Sequence, residues 1–199
     1  MAELLLEILS EEIPARMQAR AAADLERIVS DELRDAGLEF KRSSKFVTPR
    51  RLTLVIDGLP NKTPEISEER KGPRTNAPAK AVQGFLNSIG LSIENAIKRE
   101  TEKGEFYFAL IEKKGEKTAE LLKPLIESAL LSLSWPKSMR WANHTVRWVR
   151  PMQGILCLFD NKIVPVMFGP IKADKYTLGH RFLTSALIEV NNFADYKKS

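Results

Sequence analysis

Residues 135–151 read WPKSMRWANHTVRWVRP and set all three tryptophans of the chain among Lys137, Arg140, Arg147 and Arg150. No Asp or Glu occurs between Ser128 and Phe159, so these cations have no carboxylate partner nearby in sequence. Ammonium and guanidinium groups neutralise phosphates, while flat rings stack on bases and on guanidinium planes. The interleaving therefore suits RNA. The same residues would also fit tryptophans in a core with cations along a solvated edge, and residue types alone weigh the two readings equally.

Other residues offer weaker chemistry. His144 and His180 could each act as a general base, with the Ser138 or Thr145 hydroxyl nearby in sequence, but their spacing does not specify a triad. A hydrogen-bonding or RNA-facing histidine is the better reading of each. Glu7, Glu11 and Glu12 have no metal partner or paired base, which favours a strand-to-helix turn. Two histidines and one cysteine, widely separated, make no zinc ligand set. The pattern G-x-x-x-x-G-K-[ST] is absent, so no phosphate loop is claimed. Lys71, Arg74 and Lys80 gather at the predicted start of a helix capped by Asn76, where free amides also favour an anion. Gly72 would let a backbone come close to a phosphate. Arg50 and Arg51 point to opposite faces in an extended chain, so one could reach RNA while the other pairs with a carboxylate.

The elements that must position these groups follow from hydrophobic periodicity. Residues 4–9 form an apolar run suited to a buried strand. Ser10, Glu11 and Glu12 offer acceptors ahead of Pro14, and Met17, Ala21, Leu25, Ile28, Val29 and Leu33 mark one helix face ending at Gly37. Asp24, Asp31, Glu32 and Asp35 lie mostly on its solvated side. Residues 52–58 read as a β-branched strand closing in an Asp57-Gly58 turn. Residues 60–75 are polar and turn-rich. Residues 97–102 and 106–112 make a hairpin around Lys103-Gly104-Glu105. A helix capped by Thr118 follows, with Pro124 expected to kink it or shift its start. Residues 154–159 and 163–168 make a second hairpin, Pro165 marking an edge or bulge. Asn191-Asn192 opens a last helix. No internal repeat and no low-complexity segment is present.

Size, charge and cysteine content bound the class. The 199 residues, 43% hydrophobic, suffice for one large domain or two small ones. Net charge is 31 − 26 = +5, unevenly spread. Residues 1–40 carry four Arg/Lys and ten Asp/Glu, and residues 41–199 carry 27 and 16. An acidic opening beside a basic body suits a polyanion-binding face on the body. The single Cys157 allows no internal disulfide and favours a reducing cytoplasm. No apolar run reaches transmembrane length, and Glu3 and Glu7 in the opening stretch argue against a signal peptide.

The order of the motifs adds a resemblance. WPKSMRW (135–141) followed by VRWVRP (146–151) closely resembles a segment of the beta subunit of the bacterial two-subunit glycyl-tRNA synthetase family. Four further blocks stand in that family's order: LLLEILSEEIP (4–14), TPRRL (48–52), RKGP (70–73) with AVQGFL (81–86), and LGHRFL (178–183). The family's beta subunit is several times longer, so the resemblance implies an N-terminal module over 1–199, with a subdivision near 60–75. It implies an α+β fold with a mixed or mostly antiparallel sheet and packed helices, similar in type to the editing-like domain of the phenylalanyl-tRNA synthetase beta subunit. It also implies a cytoplasmic ligase subunit that supports tRNA binding. Adenylate formation, ATP and Mg are then expected at a separate alpha subunit, with no cofactor and no catalytic residue in this chain. The expected partners are that alpha subunit and tRNA(Gly), with no membrane. The RNA-binding residues expected are Arg140, Arg147 and Arg150 first, then Lys137, Arg50, Arg51, Lys71 and Arg74, with Trp141, His180 and Arg181. Two rivals stay open: a docking face for the alpha subunit or later beta domains, and a hydrolase acting on mischarged tRNA. Glycine, the smallest amino acid, leaves such a hydrolase little to exclude by size.

Overall fold

A computed structural model describes residues 2–90, 92, 96–101, 104–140, 145–180, 182 and 186–198. The chain opens with β1 (Ala2–Ser10), α1 (Ala15–Asp35), β2 (Arg42–Thr48) and β3 (Arg51–Leu59). Next come β4 (Ile66–Arg74), α2 (Ala79–Ile89), β5 (Ala96–Thr101) and β6 (Gly104–Lys113). Then follow α3 (Thr118–Ser132) and the short pair β7 (Met139–Arg140) and β8 (Arg147–Trp148). The rest comprises β9 (Met152–Phe159), β10 (Lys162–Ile163), β11 (Met167–Phe168), β12 (Ile171–Lys172), β13 (Tyr176–Leu178), β14 (Leu187–Glu189) and α4 (Phe193–Tyr196). Two compact units result, one from residues 1–63 and 116–199, the other from residues 64–115.

The larger unit is built on a five-stranded sheet of order β10-β9-β1-β3-β2, antiparallel throughout. Its centre, β1, is apolar on both faces because both are covered. Leu4, Leu6 and Ile8 meet Leu52, Leu54, Ile56, Ile155 and Cys157 in a core shared with α1 and α3. Leu5, on the other face, packs with Val55, Leu156, Leu158 and Val190, under Phe193 and Tyr196. The α1 stripe predicted from spacing is the buried one: Met17, Ala21, Leu25, Val29 and Leu33.

Several local expectations change. Neither α1 nor α2 has a side-chain cap; Pro14 and Pro78 occupy the N-cap positions, so Ser10 and Asn76 are not capping groups. Lys117, not Thr118, is the N-cap of α3, and the Thr118 hydroxyl donates to the Pro60 carbonyl at 2.6 Å. Pro124 sits inside an α3 that begins six residues earlier. Asp57-Gly58 is no turn: β3 runs on to Leu59, and Gly58 (φ +83°) forms a bulge where the register shifts between Ala2 and Glu3. A Cβ there would strike the Lys41 side chain at 2.6 Å. Pro165 ends the second hairpin early, leaving β10 only two residues long. Asn192 does cap α4, its side chain accepting from Asp195 N at 3.0 Å.

The smaller unit is a three-stranded antiparallel sheet of order β4-β6-β5. The polar, turn-rich reading of residues 60–75 missed β4, because its Glu, Arg and Lys residues lack the apolar alternation of a buried strand. On one face Val82 and Leu86 of α2 bury Tyr107. Gly72 serves that packing: a Cβ would lie 2.5 Å from the Phe85 ring. The close approach at Gly72 is therefore to a side chain of α2.

Candidate nucleic-acid interface

The tryptophan-rich stretch divides its residues cleanly between support and surface. Trp148 is buried, and its ring meets Trp135 and Phe168 edge-on at centroid distances of 5.0 and 5.4 Å. Such T-shaped contacts follow the ring quadrupoles and add to ordinary area burial. Trp135 is half-buried. Trp148 is therefore no open platform for a base, whereas Trp135 also lines a cleft with Arg16, Arg20 and Pro136; Trp141 and His144 lie outside the described residues. Val146 packs on the same core, and Gly169 (φ +57°) lets it do so, since a Cβ there would sit 2.8 Å from Val146 Cγ2.

Met139 pairs with Trp148 and Arg140 pairs with Arg147 across β7 and β8. Directly opposed residues bring like charges side by side, which disfavours the pairing unless an anion lies between or over them. Arg147 Nε donates to Ser138 Oγ at 3.1 Å, and Arg150 Nη1 donates to the Val149 carbonyl at 3.2 Å. Lys137, Arg140 and Arg147 are exposed, and Arg150 is half-buried. Among the described residues no carboxylate lies within 4 Å of any of these four cations. Neutral acceptors thus hold Arg147 and Arg150, and a charge-assisted bond to an anion would be stronger than either contact. Sequence reading singled out these cations, and named Ser138 only as a hydroxyl near a histidine, not as the acceptor that orients Arg147; it missed Gly169, which makes room for Val146. The Gly169-Pro170 pair just after an apolar run was the available signal for the latter.

Arg50 and Arg51 lie elsewhere in the same unit and are both engaged within the chain. Arg51 Nε is 3.2 Å from Glu7 Oε2, and its Nη2 donates to the Leu178 and Gly179 carbonyls. Glu7 is almost wholly buried and accepts on both oxygens: Thr177 Oγ1 donates at 2.5 Å and the Tyr196 hydroxyl donates to its other oxygen. Burial, then the charge of Glu7 and the hydrogen bond to it, raise the Tyr196 phenol well above its ordinary range. Arg50 donates to Gln153 Oε1 at 2.5 Å and to the Ser10 carbonyl at 3.3 Å, with Glu11 at 4.0 Å. The Glu7–Arg51 network lines a cleft of about 220 Å³ with His180 at its rim. His180 is exposed, and its Nδ1 accepts from Phe182 N at 3.4 Å. Among the described residues no hydroxyl or thiol bonds to it. Arg181 lies outside the described residues. Cys157 is buried, which raises its thiol far above the usual range.

Lys71 and Arg74 belong to the smaller unit, on β4. Both are exposed, and both lie over the Phe106 ring, at 3.7 and 5.5 Å from its centroid. Among the described residues, no group of three His, Cys, Asp or Glu side chains is arranged to hold a metal ion. No described helix is long and apolar enough to cross a membrane.

A family model described as the glycyl-tRNA synthetase beta subunit matches residues 4–199. A glycine–tRNA ligase beta subunit of Rhodospirillum centenum is 46% identical over 222 residues, covering 99% of this chain and 31% of that protein. The corresponding subunits of Paracoccus denitrificans and Dinoroseobacter shibae are each 47% identical, covering 98% and 99% of this chain. The chain spans 29% and 28% of those two relatives. With the match running along nearly its whole length, the chain belongs to the glycyl-tRNA synthetase beta-subunit family.

Proposed function

We propose that the chain is a tRNA-binding module that supports ATP-dependent glycylation of tRNA(Gly) in the cytoplasm. The adenylate chemistry, with its ATP and Mg, then belongs to a partner alpha subunit. The observation that carries this reading is the β7–β8 edge, where Arg140 and Arg147 stand opposite one another with no described carboxylate in reach. Lys137 and Arg150 extend the row, and all four contact backbone phosphates. Binding of this kind is electrostatic and weakens steeply as salt rises. Glu7 is tied up within the chain by Thr177, Tyr196 and Arg51, which supports a structural role for that cluster. The likeness in type to the editing-like domain of the phenylalanyl-tRNA synthetase beta subunit remains part of this proposal at the level of fold.

A second reading, docking onto the alpha subunit or later beta domains, draws on Met139 and Leu131, which are 49% and 65% exposed at positions flanking Trp135 in sequence. The two readings separate on titration of the chain with tRNA(Gly) and an unrelated tRNA across a salt series. Salt-dependent binding supports the tRNA module, and preference for tRNA(Gly) adds identity reading. No binding at low salt, together with salt-insensitive association with the alpha subunit, would favour docking.

A further inference from the structure

The sheet of the smaller unit has one face that α2 covers and one that it does not. Alternation along β6 sends Tyr107 and Ala109 into the covered face, where both are buried. Phe106, Phe108 and Leu110 point the other way, half-buried or exposed. The register sets Arg74 opposite Phe106 and Lys71 opposite Phe108 on one side. On the other side Arg99 faces Phe106 and Ile97 faces Phe108. Two phenylalanines on the central strand are thus flanked by cations from both edge strands. The cations are held on the rings: Lys71 Nζ lies 3.7 Å from the Phe106 centroid, and Arg99 Cζ lies 5.1 Å from that of Phe108. Arg99 is also gripped by Glu69 through two contacts of 2.8 and 3.1 Å.

We propose that this face binds a single-stranded stretch of RNA, with bases stacked on Phe106 and Phe108 and phosphates held by Lys71, Arg74 and Arg99. The inference rests on reading the chain as an RNA-binding module and adds a second surface on a separate unit. Aromatics at alternate positions of a central strand present two rings on one side, at a pitch that successive unstacked bases match. Cations already stacked on those rings lose little freedom when a phosphate arrives, and they screen the rings until it does. Lys71, Arg74 and Arg99 all lie over these rings, and the carboxylate that meets one of them among the described residues is Glu69, so the cations around the rings outnumber it and complement a polyanion. A protein-docking core is instead depleted of charge. A continuous duplex would hide its base faces from the rings, so single strands are preferred.

The test uses the full chain, a short fluorescein-labelled single-stranded oligoribonucleotide and a blunt RNA duplex. Phe106→Leu with Phe108→Leu keeps apolar volume but removes both rings. It should weaken single-strand binding about tenfold or more and leave duplex binding nearly unchanged. Phe106→Tyr with Phe108→Tyr restores the rings and should restore affinity. On the unaltered chain, a 5-bromouridine oligoribonucleotide should photocrosslink to the peptide carrying Phe106 and Phe108, a result independent of how any variant folds. Unchanged affinity in the leucine variant, or crosslinks confined to residues 137–150, overturns this inference alone. So does loss of alpha-subunit association with RNA binding unchanged, which would assign the face to a protein. If the unaltered chain binds neither probe at low salt, the tRNA-binding reading falls with it.

Discussion

Arg51 and Arg147 look alike in sequence, each beside an apolar residue with another arginine within three positions, yet the fold gives them opposite circumstances. Arg51 meets a buried carboxylate and two backbone carbonyls, and through them it fastens residues 177–179 to the main sheet. Arg147 meets a serine hydroxyl and stands opposite another arginine. A guanidinium whose donors are taken holds the structure together. One facing a like charge at an exposed edge meets no carboxylate among the described residues and is free to serve the proposed RNA contact. On the proposed reading, the difference separates arginines that stabilise the fold from those that meet RNA.

The largest effects fall on the satisfied side of this comparison. Arg51→Ala strands the buried Glu7 charge and should cost about 3–5 kcal/mol in urea unfolding. Arg140→Ala and Arg147→Ala should each stay within about 0.5 kcal/mol of the parent. Equal losses at Arg51 and Arg147 would erase the distinction. Trp148→Ala removes the buried ring of the hairpin and should cost about 3–5 kcal/mol as well, weakening RNA binding only through lost support.

Titration sharpens the same contrast at high pH. The folded Tyr196 phenol holds its proton more tightly than the unfolded one, so its contribution is complete below the unfolded value of about 10 and falls as pH rises past it. The parent should therefore lose stability between about pH 9 and pH 11 more steeply than Tyr196→Phe, as followed by urea midpoints. The smallest effect lies at low pH. Glu26 is lowered by its hydrogen bond from Lys45 and then that from Ser43, so its contribution is present above the ordinary carboxylate range and fades as pH falls through and below it. Glu26→Gln should be slightly less stable than the parent at neutral pH, and the gap should close on acidification.

Much of the molecule was legible from local pattern. The strand at 4–9, the stripe of α1, the hairpin around Gly104 and the cap at Asn192 are all written in neighbouring residues. What could not be read depended on partners far along the chain. Glu7 reads as part of a turn until Thr177 and Tyr196 arrive from 170 and 189 residues away. The strand β4 carries too much charge for alternation to reveal it, and the pairing that makes it a strand comes from β6. Gly58 signals a turn by type, but β1 and Lys41 make it a bulge. At the candidate interface, sequence named the cations. Which tryptophans face inward, and which arginines find a carboxylate, only folding decides.

The central claim is that the row at residues 137–150 meets the phosphates of tRNA. Its most direct test compares the salt dependence of tRNA(Gly) affinity for the parent and for Arg140→Ala with Arg147→Ala. Each lost phosphate contact lowers the slope of log affinity against log salt by about 0.9, so the double variant should bind more weakly with a slope shallower by about 2. Two superimposable salt series would show that these arginines touch no RNA.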